Sequence, residues 1–274
     1  MKKIFVYLGG FLPLCVFSQL LYEPFEYNNN TFVNATELWQ HHSGTLGQMQ
    51  INNGKLLLND RDNEDVHFVF EQPLSSLYYS FTLSVNANSE TSGSQYFAHL
   101  NTSAFKAKLF ITYADGGFIP GIATYAGTPT ANWGEVLAYD VHYRIVVKYD
   151  GTTTLWVNPN SEMDFSISDP QSSDVVASEF CFRQAQHPGS FNASVDDLFI
   201  ATSFFEVLHS DAYDLSYIPS ISIRNGVVLS DDGRVLGVYN TMGQKVKNKD
   251  LKGVYIVYVS FEFGHTKVFK IIAS

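Results

Sequence analysis

The run NDRDNEDVHFVFE, residues 59–71, holds the densest set of oxygen ligands in the chain. It places Asp60, Asp62, Glu64 and Glu71 at positions 1, 3, 5 and 12 of a twelve-residue calcium loop. Calcium is held by several hard oxygens gathered in such a loop, with a glycine at position 6 to let the chain turn. Here position 6 is Asp65, and Val66–Phe70 reads as a strand. A hydrated acidic hairpin is therefore expected, with Asp60, Asp62 and Glu64 as the candidate calcium ligands and Asp196-Asp197 as a second acidic point. His41 and His42 are adjacent, so in an extended chain they point to opposite faces and cannot share one ion. No His-x-His or His-Glu-x-x-His spacing occurs, and no zinc site is expected. Cys181, in EFCFRQ, alternates with Phe180 and Phe182 and reads as an ordinary strand residue. No Gly-x-Ser-x-Gly elbow or phosphate-binding glycine loop is present.

Carboxylates on one strand face can also cleave glycosidic bonds. SEMDFSIS, residues 161–168, resembles the Glu-x-Asp-x-x-Glu strand of laminarinase-like hydrolases, with Glu162 and Asp164 in the first two places. The third place is Ile167, which cannot transfer a proton. No catalytic residue is assigned. Sugar binding needs less, because an aromatic face and a few polar groups suffice. Trp39, Trp133 and Trp156 are the tryptophans. Trp156 alternates out of phase with Leu155 and Val157, and Trp133 lies in the loop-like stretch YAGTPTANWGE. Trp133 is the candidate ligand-binding residue.

The elements that must position these groups are strands. LYYSFTLSVNA, residues 77–87, puts Tyr79, Phe81, Leu83 and Val85 on one face and Tyr78, Ser80, Thr82 and Ser84 on the other, the mark of a half-buried strand. YRIVVKYDGTTTLWVNP reads as a hairpin turning at Asp150-Gly151 and ended by Pro159, which cannot donate to a ladder. Some ten such strands recur between residues 19 and 208, without a sustained helical period, so two packed antiparallel sheets are expected. LHSDAYDLSYIPS, centred on residues 209–220, reads as a connector.

LWQHHSGTLGQMQINNGKL, LYYSF, QYFAHL, FITYADGGFIPGIA, LWVNP and SVDDLFIATSF follow one another in the order of the laminin-G-like, concanavalin A-like modules of secreted Bacteroidetes proteins. Residues 19–208 resemble that family. The resemblance implies an all-β, antiparallel jelly-roll sandwich, a fold shared by lectins, adhesion modules, glycoside hydrolases and polysaccharide lyases, so fold does not decide activity.

Both ends read as addresses. Residues 1–18 have two lysines, an apolar stretch from Ile4 to Phe17 and a small residue, Ser18, as in a signal peptide cleaved between Ser18 and Gln19. The apolar stretch is too short to span a bilayer, so no transmembrane helix is expected in the mature form. Cys15 leaves with it, so Cys181 is left without a disulfide partner. At the other end, VYNTMGQKV, LKGVYIVYV and KVFKII are separated by glycine turns and read as a small β-sandwich. Residues 221–274 resemble the type A C-terminal sorting domain of the type IX secretion system, although IRNGVVLSDDGR replaces the usual Tyr-Pro-Asn-Pro opening. That resemblance implies type IX secretion machinery as a partner, removal of the tail, and a secreted or outer-membrane surface-attached product.

Charge divides along the same boundary. Residues 219–274 carry 8 Lys/Arg against 4 Asp/Glu, whereas residues 19–218 carry 7 against 23. So acidic a body repels nucleic acid. The expected protein is an exported binding or adhesion module, with glycans as candidate partners and calcium as the candidate cofactor. A glycoside hydrolase or lyase on the same fold is the alternative.

Overall fold

The computed structural model describes residues 19–87, 93–184, 186, 191–208, 221–224, 227–230, 233–240, 243–261 and 266–273. The signal segment with Cys15 and Ser18, and the connector 209–220, lie outside the described residues. The chain forms two compact units, within residues 1–210 and 211–274.

The larger unit is built by repeated crossing between two sheets. β1 (Gln19–Glu23) and β2 (Thr31–Phe32) begin in the first sheet, and β3 (Gln40–Ser43) crosses to the second. β4 (Gln50–Asn52) and β5 (Lys55–Leu58) return to the first, β6 (Asp65–Leu74) joins the second and β7 (Leu77–Val85) the first. The second sheet then gains β8 (Ser94–Asn101), β9 (Lys106–Ala114), β10 (Gly117–Ala123), β11 (Ala131–Asn132) and β12 (Leu137–Ala138). β13 (Tyr143–Tyr149), β14 (Thr153–Val157) and β15 (Ile167–Ser168) belong to the first, β16 (Ala177–Arg183) to the second and β17 (Ala193–Ala201) to the first.

The first sheet runs β15-β14-β13-β7-β17-β5-β4-β2, with β1 also on β17; the second runs β11-β10-β9-β8-β16-β6-β3, with β12 on β10. The pairs are antiparallel, and the long crossings make neighbours of strands far apart in sequence, as β7 with β17 and β8 with β16. This is the expected all-β jelly-roll sandwich.

The alternation read from the sequence decides which faces meet. Tyr79, Phe81, Leu83 and Val85 of β7 are fully buried and face Phe97, Leu109, Phe180 and Phe182 of the second sheet within one core. The Asp150-Gly151 hairpin pairs Val147 with Leu155. Trp39 also belongs to this core, between Phe25 and Phe182, and its indole N–H donates to Glu23 at 3.1 Å.

Besides a 3-10 turn at Val33–Ala35, one α-helix departs from the expected strand-only body. Phe204–Leu208 is a helix, α1, opened by Ser203, whose Oγ accepts the Glu206 N–H and donates to the Glu206 carboxylate. This reciprocal capping fixes a single turn. It seats Phe204 and Val207 over Tyr78, Val146, Trp156 and Phe199 on the outer face of the first sheet. Trp156 thus points away from the main core and is covered by the helix.

In the smaller unit, β18 (Ile221–Arg224) pairs with β19 (Val227–Ser230). β20 (Gly233–Asn240), β21 (Lys245–Val246), β22 (Gly253–Phe261) and β23 (Thr266–Ala273) form a four-stranded sheet in the order β21-β20-β22-β23. Val228 of the hairpin joins Val238, Leu251 and Val257 in one small core, and the Asn248 side chain both accepts from and donates to the Val228 backbone. The turn residues Thr241 and Met242 lie outside the described residues.

Candidate functional site

The two outer faces of the sandwich differ. On the first sheet, α1 covers an apolar patch of Tyr78, Val146, Trp156 and Phe199. On the second sheet, β3, β6, β16 and β8 place polar rows on the outer face. Antiparallel register sets Gln40 beside His67, His67 beside Cys181, and Cys181 beside His99. In the next row Val69, Glu179 and Asn101 are neighbours, and on the other side Ser43, Asp65 and Arg183. Neighbours of this kind have Cβ atoms about 4.5–5.5 Å apart, close enough for side chains to interact.

Hydrogen bonds organise the rows. His67 Nδ1 lies 3.0 Å from Glu179 Oε2, and the Asn101 amide donates to the same oxygen at 2.9 Å. Burial raises the Glu179 carboxyl pKa, but the bonds from His67 and Asn101 outweigh it and hold the group below the ordinary glutamate range. His42, projecting from β3, packs against the His67 ring at 5.2 Å and lies 3.4 Å from the Asn101 amide. His99 is fully buried, and neither of its ring nitrogens has a hydrogen-bond partner among the described residues. Burial, then the nearby His42, Arg183 and Lys108, drive its pKa down to about 3. The Cys181 thiol is also buried, and burial together with Glu179 and Asp65 pushes its pKa well up.

Aromatic and cationic groups flank these rows. The Arg183 guanidinium stacks over Tyr96 at 4.3 Å and donates to the Tyr96 carbonyl at 3.3 Å. Phe105 lies 4.5 Å from the His99 ring and 6.0 Å from that of His42. Lys108 is tied to the carbonyls of Tyr125 and Ala126, both at 3.0 Å, so the loop after β10 folds over that end of the sheet. A Cβ added at Gly121 would meet Asn132 Oδ1 at 2.5 Å and Pro129 at 2.8 Å, which is why β10 carries a glycine beneath that loop. His42, His67, Tyr96, Glu179 and Arg183 remain partly exposed.

The residues singled out in the sequence go elsewhere. Among the described residues the carboxylate oxygens of Asp60, Asp62 and Glu64 do not gather within 4.8 Å of one another. Glu64 is fully buried, and its carboxylate accepts the backbone N–H groups of Gly47, Gln48 and Met49 at 3.1, 2.6 and 2.7 Å. It is the clasp of the 44–49 turn. Asp62 accepts from Asn59 at 3.1 Å, and the Asp60 N–H donates to Asn192. Asp197 takes the Tyr22 hydroxyl at 3.2 Å. His41 and His42 diverge as expected, His41 toward Glu64 at 3.3 Å. Glu162 and Asp164 sit in the loop after β14, not on a strand. Glu162 accepts from Tyr78 at 2.7 Å, and Asp164 caps the N–H groups of Asn160 and Ser161.

Trp133 follows β11 directly at the edge of the second sheet, where its N–H donates to Pro120. It is half-buried against the main core, and its ring meets Phe165 edge-on at 5.1 Å. Phe165 is 69% exposed, so it, not Trp133, presents the open ring. The polar rows were missed in the sequence because their members come from strands far apart along the chain. Strand alternation does give the signal that His67, His99, Glu179, Cys181 and Arg183 share the non-core phase of their strands.

No family model matches the sequence, and no curated protein matches it. Solved structures of similar outline share little sequence. The CBM2 module of evolved Dit from Lactobacillus casei BL23 phage J-1 is 11% identical, with 68% of this chain and 95% of that one covered at a TM-score of 0.47. An alginate lyase from Alteromonas sp. 272 is 11% identical over 61% and 95%, at 0.42. The VIP36 exoplasmic/lumenal domain bound to Ca2+ and Man2 is 12% identical over 73% and 92%, at 0.41. A binding module, a lyase and a domain bound to Ca2+ and Man2 thus stand side by side, and such distant likeness brings no ligand with it. No helix among the described residues is long and apolar enough to cross a membrane.

Proposed function

We propose that residues 19–208 form an exported glycan-binding module that uses the outer face of its second sheet. The observation that carries this reading is the set of ordered donors and acceptors on the outer face of the second sheet, beside Tyr96 and Arg183, where the first sheet instead has an apolar patch covered by α1. Sugar rings offer apolar C–H faces and directed hydroxyls, which match aromatic flanks and fixed polar groups. Phe165, backed by Trp133, adds an open ring at the β11 edge of the same sheet. The acidic body favours neutral glycans, because sulfated or uronic polymers would be repelled unless a cation bridged them. In this reading residues 1–18 direct export, residues 221–274 direct passage through the type IX machinery, and the module works outside the cell or on its surface.

A glycan array probed with the mature protein tests this. Binding to a family of neutral glycans is expected. Phe165→Ala should weaken the best of them about tenfold, roughly 1.4 kcal/mol, with an unchanged melting temperature. Trp133→Ala should weaken binding and also lower the melting temperature, because Trp133 packs on the core. Failure to bind any glycan would sink the reading.

A further inference from the structure

Cys181 sits in the middle of the polar face, with His67 on one side and His99 on the other in the ladder. A ring nitrogen of His42, a carboxylate oxygen of Glu179 and Cys181 Sγ all lie within 4.8 Å of one another. Among the described residues this is the one gathering of three different metal-ligating groups. We propose that His42, Glu179 and Cys181 form a binding site for a divalent transition metal ion of the zinc class, independent of whether the face binds glycans.

Three observations support the site. The donor set is mixed imidazole, carboxylate and thiolate, which suits zinc and its neighbours, whereas calcium takes only oxygens. Bond lengths of about 2.0–2.3 Å set the edges of a zinc tetrahedron at roughly 3.3–3.8 Å, so donors within 4.8 Å of one another need to close by at most about 1.5 Å. The surroundings also hold polar groups that the protein itself leaves unanswered. His42 Nδ1 and both ring nitrogens of His99 are buried without a hydrogen-bond partner among the described residues, and His99 is the direct neighbour of Cys181. Buried polar atoms are nearly always partnered, so three orphaned ones beside the cluster point to a ligand.

The support beneath the ligands is of the kind that orients a metal site. His67 and Asn101 both bond Glu179 Oε2, fixing the carboxylate before any ion arrives. Charge closes as well: a thiolate and a carboxylate neutralise a divalent ion, and the thiol proton leaves to solvent as the ion enters. Water is the source of a closing ligand, because the ring nitrogens of His99 lie outside the group within 4.8 Å.

The test is a cobalt(II) titration of the full chain carrying Cys15→Ser, so that Cys181 is the only thiol. One equivalent should produce a thiolate-to-cobalt charge-transfer band, which zinc bleaches and calcium leaves untouched. His42→Ala and Glu179→Gln, both at partly exposed positions, should each weaken cobalt binding at least tenfold, and Cys181→Ser should abolish the band. A folded chain that gives no such band overturns the proposal. So does a band that survives both His42→Ala and Glu179→Gln at unchanged affinity, since the thiol alone would then account for it.

Discussion

Glu64 shows how a residue's chemistry depends on what the fold brings to it. In the sequence it is the third oxygen of an acidic run; in the structure its two oxygens are spent on three backbone amides of the 44–49 turn. That turn needs them, because Gly44 has a left-handed φ of +81° and a Cβ there would collide with the Asn63 carbonyl. Hydrogen bonds to a charged group contribute about 1.5–3 kcal/mol each. Three such bonds sum to about 4.5 kcal/mol at the low end, so Glu64→Ala should cost on the order of 4–5 kcal/mol, read as a lower urea midpoint at constant slope. Asp169 offers a pH test. Burial opposes its ionisation, but the N–H groups of Gln171 and Thr124 outweigh this and hold its carboxyl below the usual aspartate range. A depressed folded pKa means that its stabilisation is complete above the unfolded-state pKa and is lost as pH falls through the folded one. Asp169→Asn should lower the melting temperature at neutral pH and flatten the acid limb of the stability profile. Melting curves from neutral to acid pH decide it.

At the scale of elements, strands were legible and the helix was not. The phase of Tyr79, Phe81, Leu83 and Val85 named the core face of β7, and Asp150-Gly151 named the β13–β14 hairpin, because both signals are local. A five-residue helix has too few positions to show a period; its readable sign was the Ser203-x-x-Glu206 spacing, which only capping explains. Ser203→Ala should destabilise by about 1 kcal/mol. Phe204→Ala should cost about 3 kcal/mol by uncovering Tyr78 and Trp156, with a rise in tryptophan exposure seen by fluorescence quenching. The candidate site was legible only in part, for a similar reason. Cys181 and its flanking phenylalanines marked a strand, but nothing local says that His67 and His99 will flank it, since register across the sheet is set by the whole fold.

At the scale of the whole molecule, the charge boundary near residue 219 and the two compact units describe a body and a tail with separate cores. A chain of residues 19–208 should then unfold cooperatively without the tail, as seen by calorimetry. If the ends act as addresses, mass spectrometry of the extracellular form should find Gln19 first and most of residues 221–274 gone. A mature product ending at Ser274 would count against the sorting role. The central claim is narrower: glycan binds on the open face of the second sheet. Hydroxyl-radical footprinting of the mature protein, with and without the best glycan from the array, reads side-chain exposure directly. The expected result is protection of His42, His67 and Tyr96, with Phe165 protected alongside them. Saturating glycan that leaves those three side chains as reactive as before would contradict the claim.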